Sequence, residues 1–177
     1  MTKAFIPALL WAGTALAADW SQPVEVRHDD SLSISYQARF DGPYLVVRAT
    51  LGQGWHTFAL DNQKRAEEKL AGQPALSVDQ PTVIKPVEGL TIDGPWYQTP
   101  PKDFSRPQLR WFSWGFDREA TFAAKARRTA AGAGHVTIRG QACTEKICKN
   151  IDVSLTVPAA KTAAGSELNI QDLIPSR

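Results

Sequence analysis

Residues 135–158 read HVTIRGQACTEKICKNIDVSLTVP and carry both cysteines of the chain, Cys143 and Cys148. On the first arm Val136, Ile138 and Ala142 share one phase, and Thr137, Arg139, Gln141 and Cys143 share the other. On the second arm Ile151, Val153, Leu155 and Val157 share one phase, and Cys148, Asn150, Asp152 and Ser154 share the other. Period-2 alternation on both arms predicts two half-buried strands. A register that faces Cys143 to Cys148 also faces Arg139 to Asp152, Thr137 to Ser154, Ile138 to Val153 and Val136 to Leu155. Opposite charges, hydroxyls and apolar side chains then meet as cross-strand pairs, and a one-residue slip would turn the apolar phase to solvent. The predicted hairpin has its tip at Thr144-Glu145-Lys146-Ile147 and its two sulfurs side by side on the polar, solvent face. Facing Cα atoms in a non-hydrogen-bonded pair lie about 4.5 Å apart, at the short end of what a disulfide spans.

Such a bond reads in two ways. As a staple it closes a loop so short that the chain-entropy gain is only about 2 kcal/mol, against about 4.7 kcal/mol for a loop of 100 residues. As a redox centre it is well placed, because exposed disulfides are the labile ones. Spacing alone leaves both readings open.

The 177 residues predict one domain behind a leader. Lys3, the apolar run Ala4 to Ala12 and the small-residue site Ala15-Leu16-Ala17 read as a secretory signal peptide over residues 1–18. The run is too short for a membrane anchor, and Pro7 and Gly13 interrupt it. Export implies an oxidising compartment in which a disulfide persists, and two cysteines allow a single internal pairing. A zinc site would need two further ligands, and His28, His56 and His135 show no metal-type spacing with the cysteines. The net charge of +2, with basic residues spread along the chain, leaves no nucleic-acid footprint. No serine–histidine–aspartate set, paired carboxylate or glycine-rich phosphate loop stands out.

Along the chain, Leu32 to Phe40 and Tyr44 to Leu51 read as a strand pair joined at Asp41-Gly42-Pro43. Gly52-Gln53-Gly54 then leads into Trp55-His56-Thr57-Phe58. Asp61 to Ala71 reads as a short surface helix with a solvated charged face, capped by Asp61 or Asn62 and closed by Gly72. Val83 to Pro86 is a short strand. Leu90 to Pro107, with Gly94-Pro95 and Pro100-Pro101, reads as irregular; its aromatic content argues against disorder, so its rings either join the core or cover something, and for any single ring core is the better reading. Phe116 to Arg127 reads as a strand, Ala159 to Gly165 as a linker and Glu167 to Ile174 as a helical turn. About seven strands without βαβ alternation predict an all-β, immunoglobulin-like sandwich with one short helix and a long aromatic, proline-rich loop. The predicted division is a signal peptide at 1–18, the sandwich at 19–158 and a C-terminal linker or tail at 159–177.

Gly54-Trp55-His56-Thr57-Phe58, the aromatic loop and Gly140-Gln141-Ala142-Cys143 with Cys148 five positions on together resemble the N-terminal periplasmic domain of the thiol:disulfide interchange protein DsbD. The resemblance runs from about Ser31 to Pro158. It implies an immunoglobulin-like domain whose Cys143–Cys148 pair cycles between dithiol and disulfide as the catalytic site of a protein-disulfide reductase component. It calls for no cofactor and no metal. It implies periplasmic partners of thioredoxin-like fold and a separate membrane electron donor. A cap loop matching about Lys102 to Trp114 would shield the sulfurs through Phe104 or Phe112, and His56 and Phe58 would lie near them. The sequence departs from the family after Cys148, where Lys149-Asn150-Ile151 stands in place of a frequent proline pair, and in the helix at 61–71. It also shows neither a transmembrane electron conduit nor a Trp-Cys-x-x-Cys module.

Lys146 and Lys149 flank Cys148, whereas Glu145 lies nearer Cys143. Cations raise the thiolate fraction of a nearby cysteine, although solvent screens surface charge. This favours Cys148 as attacking sulfur and Cys143 as resolving sulfur, the assignment the resemblance also implies. Two alternatives stand beside it: a non-enzymatic immunoglobulin-like binding module with a structural hairpin disulfide, and a degenerate relative that keeps the fold but has no electron donor.

Overall fold

The computed structural model describes residues 20–74, 79–159 and 168–177; the expected signal peptide and residues 160–165 of the expected linker lie outside the described residues. The strands are β1 (Val24–His28), β2 (Ser31–Asp41), β3 (Tyr44–Leu51), β4 (His56–Phe58), β5 (Val83–Glu88), β6 (Leu90–Gln98), β7 (Lys102–Asp103), β8 (Trp114–Phe116), β9 (Glu119–Arg128), β10 (Gly134–Cys143), β11 (Cys148–Val157) and β12 (Ile174–Pro175). The helix α1 (Asn62–Leu70) follows β4. One sheet runs β1-β2-β3-β9-β6-β12 and the other β11-β10-β4-β8-β7, with β5 also paired to β10. All these pairings are antiparallel, and the two sheets form an immunoglobulin-like β-sandwich.

The inner faces follow from alternation. Ile34, Tyr36 and Ala38 of β2, Leu45, Val47 and Ala49 of β3, and Phe122 of β9 are all fully buried. Val136 and Ile138 of β10 and Leu155 and Val157 of β11 meet them from the other sheet. Phe116 and Phe122 stack edge to face across the layers, ring centroids 5.6 Å apart.

The β10–β11 hairpin has the register expected from its side-chain pairs, with Val136 against Leu155, Ile138 against Val153, Arg139 against Asp152 and Cys143 against Cys148. On its other edge β10 changes partner. It pairs with β5 from His135 to Arg139, then with β4 at Ala142 and Cys143. Gly140 sits at the hand-over with φ +154°, and a Cβ there would meet the Pro81 carbonyl oxygen at 3.0 Å. A close backbone approach of this kind calls for glycine.

Three expectations are corrected. Residues 90–98 are not irregular: they form β6, whose ladder on β9 jumps from Ile92↔Ala126 to Trp96↔Ala124. Gly94-Pro95 falls inside that bulge, which absorbs a residue pair that regular pairing would exclude. An additional edge strand, β1, precedes the first expected strand and pairs with β2. In α1, Asp61 occupies the N-cap position but makes no side-chain cap bond, and Ala71 rather than Gly72 takes the left-handed C-cap, φ 48°. The Asp61 carboxylate is instead drawn to Arg65 Nε at 2.8 Å, Gln98 Nε2 at 2.7 Å and the Arg177 amide at 3.0 Å. Burial pushes its pKa up, but these donors outweigh burial and hold it below the usual aspartate value. One charged pair of the helix therefore faces inward rather than into solvent.

The segment 168–177 lies against the sandwich. It forms a 3-10 turn over Ile170–Asp172, and β12 pairs with the end of β6. No helix among the described residues is long and apolar enough to cross a membrane.

Replacing Phe122 by Ala is expected to cost about 3–5 kcal/mol, measured by urea unfolding, because the site is walled by both sheets. Arg139→Ala, which breaks a surface pair with Asp152, is expected to cost less than about 1 kcal/mol. Equal losses would contradict this placement of the core.

Candidate functional site

The β4 strand pairs Thr57 with Ala142 and His56 with Cys143, while Cys143 faces Cys148 on the other side. Residues directly opposite one another in antiparallel strands point to the same face. His56, Cys143 and Cys148 therefore form one row across β4, β10 and β11 on the outer face of the sheet. The disulfide joins Cys143 to Cys148 with a Cα–Cα distance of 4.0 Å. The tip beyond it is closed locally. The Thr144 amide donates to the Ile147 carbonyl at 2.8 Å, and the Thr144 hydroxyl accepts from the amides of Lys146 and Ile147 at 3.2 Å. A hydroxyl at the head of a tight turn satisfies backbone donors in this way.

The two cysteines are not equally exposed, which corrects the expectation that both lie on the solvent face. Cys143 is 2% exposed, whereas Cys148 is exposed. Cys143 has the polar-face phase but is covered, because this end of the outer face is not bare. Phe58 shares the phase of His56 and is nonetheless only 1% exposed. The cover comes from two segments. One is the stretch before β5, where the Thr82 hydroxyl donates to the Phe58 carbonyl at 2.7 Å. The other is the loop between β7 and β8.

That loop is a hairpin flap. Beyond the Lys102↔Gly115 and Asp103↔Trp114 pairs, the Phe104 amide donates to the Ser113 carbonyl at 2.9 Å and the Arg106 amide to the Trp111 carbonyl at 2.7 Å. A 3-10 turn at Pro107–Leu109 and a left-handed Arg110 make its tip. Alternation then sorts the side chains. Phe104, Arg106, Trp111 and Ser113 line a cavity of about 790 Å³ that also reaches His56, Cys143 and Cys148. Phe112 and Trp114 have the opposite phase and pack with the main core.

Of the aromatic residues proposed around the sulfurs, three come together. His56 lies 5.4 Å from Phe58 and 5.3 Å from Phe104, ring centroid to centroid. Phe112 does not join them. Desolvation lowers the His56 pKa below its ordinary 6.5; Asp79 and Asp117 pull it up, and Arg106 pushes it further down. The imidazole is thus held neutral near pH 7. Asp117 accepts two hydrogen bonds from Lys102 Nζ, at 2.6 and 2.8 Å, and these hold its carboxyl below the usual range.

Sequence reasoning missed Asn62, Asp79 and Trp111. Asn62 is fully buried: its Nδ2 donates to the Asp79 carbonyl at 2.9 Å and its Oδ1 accepts from the Trp114 amide at 2.7 Å. The Trp111 indole N–H donates to Asp79 Oδ2 at 2.8 Å. The phase of Trp111 was readable by counting back from Trp114. The tertiary partners of Asn62 and Asp79 leave no mark in local sequence.

No family model matches this chain, and no curated protein matches it. Among solved structures, it is similar to the N-terminal domain of DsbD from Neisseria meningitidis in the reduced form, at 11% identity and a TM-score of 0.48, covering 82% of this chain and 91% of that one. It is also similar to the GAE domain of GGA2p from Saccharomyces cerevisiae, at 9% identity and a TM-score of 0.39, covering 78% and 99%. Likenesses this distant carry no argument about activity.

The lowered His56 pKa has a definite sign. The unfolded chain takes up this proton first, so the contribution to stability is complete above pH 6.5 and is lost as pH falls from there through the folded-state pKa. An NMR titration of the His56 ring is expected to give a midpoint below 6.5, moving upward in Phe104→Ala as the ring is uncovered. A midpoint at or above 6.5 in the unaltered protein would contradict this environment.

Proposed function

We propose that the chain is an exported thiol–disulfide exchange module that passes reducing equivalents through Cys143 and Cys148 to periplasmic proteins of thioredoxin-like fold. The observation that carries the reading is the asymmetry of the pair: one exposed cysteine and one buried cysteine in a single short-loop disulfide, beside a cavity under an aromatic flap. The bond closes a sequence separation of five residues, so its entropic value as a staple is only about 2 kcal/mol. The sequence resemblance to the DsbD N-terminal domain supports the same reading.

The chemistry follows from which sulfur a partner can reach. In the oxidised protein, a donor thiolate attacks Cys148 Sγ. A new S–S bond forms to the donor, the Cys143–Cys148 bond breaks, and the electron pair leaves on Cys143, which takes up a proton. A second donor thiolate attacks the donor sulfur of the mixed disulfide and releases Cys148 as a thiol. The donor is oxidised to a disulfide, and this protein gains two electrons and two protons. In the forward direction the Cys148 thiolate attacks a substrate disulfide and expels one substrate thiolate. The Cys143 thiolate then attacks Cys148 Sγ and expels the second, restoring the hairpin disulfide. Attack needs the thiolate and access. Exposure gives Cys148 the access, and pairing across the strands keeps Cys143 within reach to resolve.

In the reduced protein, Cys148 is expected to alkylate roughly tenfold or more faster than Cys143, as read by mass spectrometry after a short iodoacetamide pulse. Cys143→Ser is expected to accumulate a mixed disulfide with an oxidised thioredoxin-fold protein, and Cys148→Ser is not. Equal alkylation, or trapping through Cys143 alone, would contradict the assignment.

A further inference from the structure

Outside its own ladder, the flap packs Phe112 on the core and carries a polar tie at Trp111. The Trp111 indole N–H donates to Asp79 Oδ2 at 2.8 Å, and the Asp79 carbonyl accepts from Asn62 Nδ2 at 2.9 Å. Asp79 is 8% exposed, and Asn62 is fully buried at the start of α1. Asn62 Oδ1 also takes the Trp114 amide at 2.7 Å, which fixes the base of the flap to the same point. Among the described residues the tip beyond Trp111 has no comparable tie: Leu109 is 44% exposed, and Arg110 is exposed in a left-handed conformation. On the same face as Trp111, Phe104 lies against His56, the strand neighbour of Cys143.

We infer that Asp79 is a positioning residue: held by Asn62, it latches Trp111 and so keeps Phe104 over the Cys143–Cys148 disulfide. The physical argument rests on where the bonds lie. The flap backbone carries its own cross-strand bonds, so it can swing as a unit without losing them. A swing must withdraw Phe112 from the core and Phe104 from His56, and it must also break the bond from Trp111 to a carboxylate oxygen, a hydrogen bond to a charged group and thus of the stronger kind. The stacking of Arg106 on the Trp111 ring, 5.5 Å to the centroid, travels with the flap and does not oppose the swing. Asp79 is thus placed to set the fraction of time the disulfide is open to attack. It leaves the chemistry of the sulfurs alone. The inference rests on the exchange function proposed above for the meaning of opening, but the latch itself is a property of the fold.

Three variants test it. Trp111→Phe keeps the ring and loses the N–H; Asp79→Ala loses the acceptor, and Asp79→Asn restores an oxygen there. Opening is read by native-state trypsin cleavage after Arg110, with cleavage after Arg139 in β10 as the control for global unfolding. Access to the disulfide is read separately by its reduction rate in dithiothreitol. Trp111→Phe and Asp79→Ala are expected to raise both rates on the order of tenfold, with Asp79→Asn in between and the reduction potential unchanged. In a Phe104→Ala background the same changes are expected to leave the reduction rate where Phe104→Ala alone puts it. Cleavage after Arg110 within twofold of the unaltered protein, or cleavage after Arg139 accelerated equally, would overturn the latch. So would faster cleavage with unchanged reduction of a reducible disulfide. If the disulfide resists dithiothreitol in every variant while cleavage after Arg110 alone accelerates, the latch stands and the exchange function fails.

Discussion

The register of β10 is the constraint on which the site depends. Val136 and Ile138 must face the core, and that fixes the pairing with β11. The same strand turns its last two residues to β4, so Cys143 acquires Cys148 on one side and His56 on the other. A slip of one residue would bury Arg139 and expose Ile138, so hydrophobic burial in the core holds the sulfurs together. Burial of the core would by this argument align the two cysteines without the bond, which leaves the disulfide little to do for the fold. A bond that the fold can spare is free to be made and broken.

A second layer of packing makes the two sulfurs unlike. The outer face of a sandwich sheet is ordinarily wet, and Arg139 and Asp152 further along the same strands are solvated accordingly. Over the end of β4 and β10, however, the flap and the segment at 79–82 adjoin the site, where Phe58 and Cys143 are buried and Cys148 is exposed. The helix that supports this cover has few apolar residues of its own. It is held by polar groups, through Asp61 to Gln98 and Arg177 and through Asn62 to Asp79 and Trp114. Buried polar groups with matched partners fix one arrangement, since each would be costly if left alone.

Much of this was legible in the sequence. The hairpin register, the sandwich and the helix near 61–71 came from alternation and turn residues. The resemblance pointed to His56, Phe58 and Phe104, and the structure places Phe58 and Phe104 against His56, the strand neighbour of Cys143. What was hidden had specific causes. β6 was masked by Gly94-Pro95, residues that signal a break and here make a bulge inside a continuing ladder. The burial of Cys143 was hidden because the phase of a strand tells which face a residue takes, not what lies over that face. Phe104 and Phe112 could not be separated until the flap was seen as a hairpin, whose alternation sends one to the cavity and the other to the core. Asn62 and Asp79 act through contacts between segments distant in sequence, and local pattern carries no trace of them.

The central claim is that the Cys143–Cys148 bond is exchanged and is not a staple. The most direct test is its reduction potential in the folded protein, by equilibration with glutathione or dithiothreitol buffers and thiol trapping. The account predicts a value between about −180 and −270 mV, within reach of thioredoxin-fold partners. A value well below about −300 mV, or no reduction until the fold melts, would contradict it and leave a stapled binding domain.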